Sequence, residues 1–246
     1  MDPDCRRFLK ADDWALFRAT QSDQQKRVPY PPLEEAVPPG APQFDLPAPE
    51  SFSLGVMSVR EAIRRRESRR SFSAAPLSLD ELAYLCWATQ GVRAVAASGA
   101  ALLRTVPSGG SRHPFETYLV IRNIAGLRPG LYRYLSLSHR LCLLRAGDLT
   151  AEAVAACSGQ RMVASCAALF VWAAVPYRTE WRYPVVAAKL IAQDSGHVCA
   201  HLYLACESIG AGCCAVGAYD QARMDAMLGL DGERMFAVYA APVGKV

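Results

Sequence analysis

The chain has 246 residues, is 52% hydrophobic and 20% charged, and carries a formal net charge of +4. This is the composition of a folded protein with a sizeable core, and the charge is too weak to indicate a nucleic-acid partner. No charge-free run reaches the ~18 apolar residues of a membrane span, and residues 1–30 lack the apolar stretch of a secretory signal. With no CxxC pair among nine cysteines, a cytoplasmic protein with thiols as small core residues is expected.

Residues 29–49 hold eight of the sixteen prolines, which predicts an extended arm over 1–50 ahead of a domain over 51–246. Phe44 and Leu46 give the arm apolar side chains to lay along a neighbour. Val59, Ala62 and Ile63 are spaced as one face of a helix from Ser58 to Glu67, with an arginine-rich end. Ser78 and Glu81 form a capping box for a second helix reaching about Gln90. Residues 91–106 read as a loop. Strand-like runs follow at 115–122, 131–135, 140–144 and 168–175, with a short helix near 149–157. Pro184 opens a long helix that Gly210 closes. A strand at 213–218, a short helix from Asp220 to Leu228 and a last strand at 235–241 end the chain. This order predicts an α+β fold, not alternating βαβ units.

Three stretches could carry chemistry. In RRRESRRSF, five arginines fall within residues 64–70. If the helix ends inside the run, Arg66, Ser68 and Arg70 point the same way along an extended segment and form a grip for phosphate or carbonyl oxygens. The alternative is a solvated basic face. In GAGCCAVG, the glycines follow a helix and precede a strand, the reverse of a dinucleotide fingerprint, so Gly210 reads as a helix C-cap. Gly217 and Ala218 could still offer bare backbone amides to a ligand. In HVCAH, His197 and His201 are one helical turn apart, but no Glu follows the first, so HExxH fails and no metal site is expected. A metal hydrolase built on the two is the reading left against that expectation. A fourth stretch, PSGGSRHPFETY, sets a flexible polar corner directly before a strand. Its glycines would let backbone approach something flat or anionic, although a plain surface turn is equally compatible.

Taken together, RRESRRSF, PSGGSRHPFETY, GLYRYLSLSHRL, DSGHVCAHLYLACESIGAGCCAVGAYD and APVGK resemble the nitroreductase superfamily, and most closely its SagB/ThcOx branch of thiazoline and oxazoline dehydrogenases. The resemblance spans about residues 50–246. It implies a central, mostly antiparallel sheet wrapped by helices, an intertwined homodimer, and FMN at the interface. By resemblance, Arg66, Ser68 and Arg70 hold the phosphate, ribityl chain and pyrimidine edge of FMN. Pro107, Ser108 and Gly109 lean on the flavin ring, usually from the opposite subunit. Gly217 and Ala218 face its N5 and O4, and Lys245 adds a phosphate contact. The family's Lys-Tyr pair is replaced here by Arg182-Tyr183. An arginine stays protonated, so it cannot act as the base, and azoline oxidation is not implied. The expectation is an FMN-dependent oxidoreductase using Tyr183 and Arg182 on a small-molecule or peptide substrate, with NAD(P)H a candidate reductant. A flavin-binding sensor or reservoir without turnover is the alternative.

Overall fold

The computed structural model describes residues 6–246. In chain order, the first half contains α1 (Asp13–Ala19), β1 (Gln43–Asp45), α2 (Val59–Arg65), α3 (Leu79–Gln90), β2 (Val92–Val95) and β3 (Leu102–Arg104). Then come β4 (Phe115–Ile121), β5 (Gly130–Leu135), β6 (Arg140–Ala146), α4 (Thr150–Ala156), α5 (Arg161–Ser165) and β7 (Ala168–Ala174). The last part holds α6 (Tyr177–Glu180), α7 (Ala187–Ser208), β8 (Ala211–Cys213), α8 (Gln221–Leu228) and β9 (Phe236–Lys245).

Seven strands form one sheet in the order β1-β6-β5-β4-β7-β9-β8, with every neighbouring pair antiparallel. The inner strands β4 and β7 are buried along their whole length. Their period of two sends Leu119, Ile121, Phe170 and Trp172 into one layer, under α3 and α7. Tyr118, Val120, Leu169 and Val171 go to the other, under α4, α5 and α8. Each fully buried Phe or Leu contributes ~1.5–3 kcal/mol. Local signals in the sequence set the helix starts. Ser58 accepts from the Glu61 amide, Ser78 and Glu81 close their reciprocal capping box, and Asp220 accepts from the Arg223 amide. Burial pushes the Cys166 and Cys199 thiols up to about 12, as expected for core residues.

Four expectations need correction. Residues 91–106 contain the hairpin β2-β3, because Arg93 and Arg104 are tied into it: Arg93 Nε donates to the Arg104 carbonyl and Arg104 to that of Gln90. The long helix starts at Ala187, since Pro184 to Val186 form a turn ahead of it. The strand expected over 213–218 is β8, ending at Cys213, and only Val216 bridges back, to Ala240. β9 runs on to Lys245, which gives β8 its partner.

The arm is integral to the fold. β1 pairs with β6, and Phe44 packs its ring 5.9 Å from that of Tyr132. Upstream, buried side chains bind the arm's main chain. Arg178 Nε donates to the Pro32 carbonyl, Arg133 to those of Glu35 and Ala36, and Trp181 Nε1 to that of Val28, all at 2.9 Å. Glu116, 3% exposed, joins strap to sheet: its Oε1 accepts from the Glu35 amide at 2.8 Å and from Arg178 at 2.6 Å.

Candidate functional site

α2 ends at Arg65 and the chain leaves it extended: Ser68 bridges Cys213 in parallel, and the Arg69 amide donates to the Cys213 carbonyl. The arginines now divide. Arg64 and Arg65 face Glu61 on their own helix, and Arg69 turns the other way, to Glu67 at 2.9 Å and Glu207 at 3.1 Å. Arg66 and Arg70 have no carboxylate partner among the described residues. The Arg66 guanidinium lies 5.5 Å from the centre of the Tyr203 ring, and Arg70 reaches only the Ser68 carbonyl, at 3.5 Å. Arg66 and Ser68 both meet Tyr203, whereas Arg70 lines a separate cleft with Ser68, Arg69 and Phe72, so the three residues of the expected grip are only partly brought together.

Tyr203 of α7 joins this segment to the glycine turn. Its hydroxyl is 3.0 Å from Ser68 Oγ and accepts from the Ala215 amide at 2.8 Å. Gly217 lies two residues on, and a Cβ placed on it would meet only Tyr239, at 3.9 Å. Ala218 has its carbonyl held by Gln160 Nε2. Arg66, Tyr203 and Tyr239 line one cleft of about 370 Å³ with Gly196, Cys199 and Ala200 of α7. Tyr239 thus borders both this cleft and the open backbone at Gly217.

Pro107, Ser108 and Gly109 lie elsewhere. Asp194 of α7 fixes them, accepting from Ser108 Oγ at 2.5 Å and from the Gly109 amide at 3.1 Å. Ser108 Oγ also accepts from the His113 amide, so its proton and one lone pair are engaged within the turn. Asp194 is 3% exposed, and burial raises its pKa despite these two donors. Asp194 and Tyr203 are nine residues apart on one helix, about two and a half turns. The turn and the arginine cleft therefore occupy opposite faces of α7.

The turn does meet the second predicted pair. Gly110 has φ +60°, and a Cβ there would fall 2.5 Å from the Tyr183 hydroxyl, so both conformation and space require glycine. The Arg182 guanidinium stacks 5.3 Å from the Tyr183 ring centre. The arm reaches this spot too, with Trp14 and Phe17 of α1 packed at 6.3 Å and 5.6 Å from the same ring.

Lys245 stands apart from both groups. Its ammonium pairs with Glu81 and donates to the Ile209 carbonyl, which ties β9 to α3. The two histidines have separate partners: His197 Nδ1 is 3.6 Å from Asp194 Oδ1, whereas His201 engages the Ala88 carbonyl. Among the described residues no cluster of three His, Cys, Asp or Glu side chains could hold a metal, and no helix is long and apolar enough to cross a membrane.

Sequence reasoning missed Tyr203, Tyr239, Asp194 and the aromatic contacts of α1. Asp194 alone had a signal, being the one acid between Pro184 and Ala205. A carboxylate in that setting needs donors from another segment.

Residues 63–245 match the nitroreductase family. A protein of Methanocaldococcus jannaschii named as a nitroreductase is 28% identical over 177 residues, covering 72% of this chain and 84% of its own. The trifolitoxin-processing protein TfxB of Rhizobium leguminosarum is 31% identical over 119 residues, but these are 46% of this chain and 32% of that protein. Among solved structures, one from Ralstonia eutropha, also named as a nitroreductase, superposes with a TM-score of 0.68 at 26% identity, covering 89% of this chain and 99% of that one. The Escherichia coli microcin synthetase complex McbBCD, with truncated pro-MccB17 bound, shares the fold at a TM-score of 0.62 and 16% identity, over 100% of this chain and 94% of that one. The antiparallel sheet, the long helix between two groups of site residues, and a family match from α2 to the end of β9 converge: this chain belongs to the nitroreductase family.

Proposed function

We propose that this chain is an FMN-dependent oxidoreductase of the SagB/ThcOx type, a homodimer working by ping-pong hydride transfer on a small-molecule or peptide substrate. One observation carries the reading: within a single arginine run, Arg66 and Arg70 have no carboxylate partner among the described residues, while Arg64, Arg65 and Arg69 are paired. Two guanidiniums beside the Ser68 hydroxyl are the donor set a phosphomonoester selects. The open backbone at Gly217 fits a flat ring alongside. A peptide substrate and a multi-subunit setting are supported by the names of TfxB and the microcin synthetase complex.

In this reading Arg66, Ser68 and Arg70 bind the phosphate end, and Gly217 and Ala218 keep the ring's polar edge against backbone. Bound FMN supplies the hydride chemistry that no side chain can. The turn at Pro107, Ser108 and Gly109 leans on the ring held by the other protomer, a role supported by its place on the far face of α7. Arg182 orients the substrate and the Tyr183 hydroxyl holds the proton that accompanies the hydride. NAD(P)H is the candidate reductant, and the cytoplasm the candidate compartment. The contact of Trp14 and Phe17 with Tyr183 favours a second reading, a flavin-binding sensor or reservoir whose reactive face stays covered.

Purified protein should be yellow, bleach with a reductant and recover its colour in the presence of an acceptor. Bleaching without any acceptor-dependent recovery would select the reservoir, and a colourless protein that takes up no FMN would end both readings. Tyr183→Phe should slow the acceptor half-reaction by about 10²–10⁴-fold in stopped flow, the span for a lost general acid, while FMN affinity is kept.

A further inference from the structure

Next to the turn, the chain concentrates positive charge that it does not neutralise. Arg112, 5% exposed, follows the Gly109–Ser111 turn, and its guanidinium lies 5.1 Å from the Trp181 ring centre. One NH₂ donates to the Ala100 carbonyl, and Nε is buried with no partner. Arg182 is near enough for its charge to act on Arg112, whose pKa is lowered first by burial and then by that neighbour. Neither guanidinium has a carboxylate within ion-pair reach among the described residues. The contrast with Arg178 is direct: that equally buried cation has Glu116 at 2.6 Å. A buried cation facing another cation is destabilising unless something anionic completes the group.

We propose that Arg112 and Arg182 form a subsite for an oxyanion, beside the Tyr183 hydroxyl. The ligand is a carboxylate of the substrate or a phosphate of a nucleotide reductant. Both guanidiniums are laid on aromatic rings, Trp181 and Tyr183, which hold the planar forks in place for paired hydrogen bonds to such a group. A bound oxyanion offsets the mutual repulsion of the two cations. The inference rests on the proposed function for the role of Tyr183 in the reaction; the subsite itself needs no flavin.

The test uses the full chain as purified, with tryptophan fluorescence read during titration. The probes are N-benzoylglycine, its amide, NADPH and NADH. The expected result is at least about tenfold tighter binding of the acid than of the amide, abolished in Arg182→Gln and weakened in Arg112→Lys, which keeps the charge but loses the fork. A preference of NADPH over NADH that disappears in Arg182→Gln, with the acid and amide equal, supports the subsite and assigns it to the reductant's phosphate. Equal binding within both probe pairs, or discrimination unchanged in Arg182→Gln, overturns it. Arg182 is only partly buried, so its variant decides even where Arg112→Lys does not fold. FMN titrated into the same preparations separates the two readings: discrimination without FMN binding leaves the subsite standing and removes the flavin function.

Discussion

The Tyr203 hydroxyl lies 3.0 Å from Ser68 Oγ and so couples the arginine segment to α7, 135 positions later in the chain. The same oxygen accepts from the Ala215 amide, two residues before Gly217. One phenol thus sets the spacing between the two halves of the proposed phosphate and ring cradle. Tyr203→Phe keeps the ring under Arg66 and removes only the hydroxyl. It should weaken FMN binding by about 1 kcal/mol, roughly fivefold, as read by quenching of flavin fluorescence. Unchanged affinity would mean that Ser68 and the 215–218 turn hold their places without it.

Arg70 and Arg64 make a matched comparison within one run. Arg70→Ala removes a guanidinium with no carboxylate partner and should reduce FMN affinity by about 1–3 kcal/mol. Arg64→Ala removes one already paired with Glu61 on an exposed helix face and should leave affinity alone. Equal retention of flavin by the two variants would return the whole run to the status of a solvated face.

The buried pair of Glu116 and Arg178 should be among the most sensitive sites for stability. Arg178→Met leaves Glu116 3% exposed, with Arg133 Nε 3.9 Å away and the Glu35 amide as its closest remaining donor. A loss of about 3–5 kcal/mol in urea unfolding is expected, the cost of a stranded buried charge. Glu116→Gln combined with Arg178→Met should recover part of it. If the single and double variants lose equally, the loss comes from the arm's contacts with Arg178 and not from the carboxylate.

His113 predicts an acid-sensitive fold. Burial, and next the charge of Arg104, hold its pKa down to about 3, from an ordinary 6.5. The folded imidazole therefore stays neutral where the unfolded one takes a proton. Its contribution to stability is complete above pH 6.5 and is lost as pH falls from 6.5 toward 3, by at most about 1.4 kcal/mol per unit. Urea unfolding at pH 7 and pH 5 should show this loss in the parent. His113→Asn, which tolerates the φ of +45°, should show a shallower dependence. Identical slopes would assign the acid sensitivity to other groups.

Much of the architecture was legible because its signals are local. The Ser78 and Glu81 box, the Asp220 cap and the period-two runs at β4 and β7 need only near neighbours to be read. The end of the helix inside the arginine run was legible, but which arginines find a carboxylate was not, since the Glu207 that pairs with Arg69 lies far along the chain. What remained hidden depends on contacts made over long stretches of chain. Ser68 meets Tyr203 only because Cys213 draws the segment to β8, and the hairpin at 92–104 is held by backbone acceptors for Arg93 and Arg104. Helix α1 was invisible for a similar reason: none of its residues is buried, and its aromatic rings find their partner in Tyr183.

Four main-chain carbonyls of the strap from Val28 to Ala36 are received by Arg178, Arg133 and Trp181, while its two acids are held by side chain, Glu34 by Ser136 and the Leu137 amide and Glu35 by Arg234. Carbonyl oxygens are the same in every residue. The receiving guanidiniums and indole therefore prescribe a path but hardly a vocabulary, and apart from Glu34 and Glu35 the strap can drift in composition while keeping its course. Proline suits such a tract, because it offers a carbonyl without an N–H that would need its own acceptor. The heavy proline usage that makes this segment look like a loose leader is, on this view, what a groove lined with donors permits. Evolutionary constraint should be concentrated in the three receiving side chains and in Glu34 and Glu35, and should spare the rest of the strap.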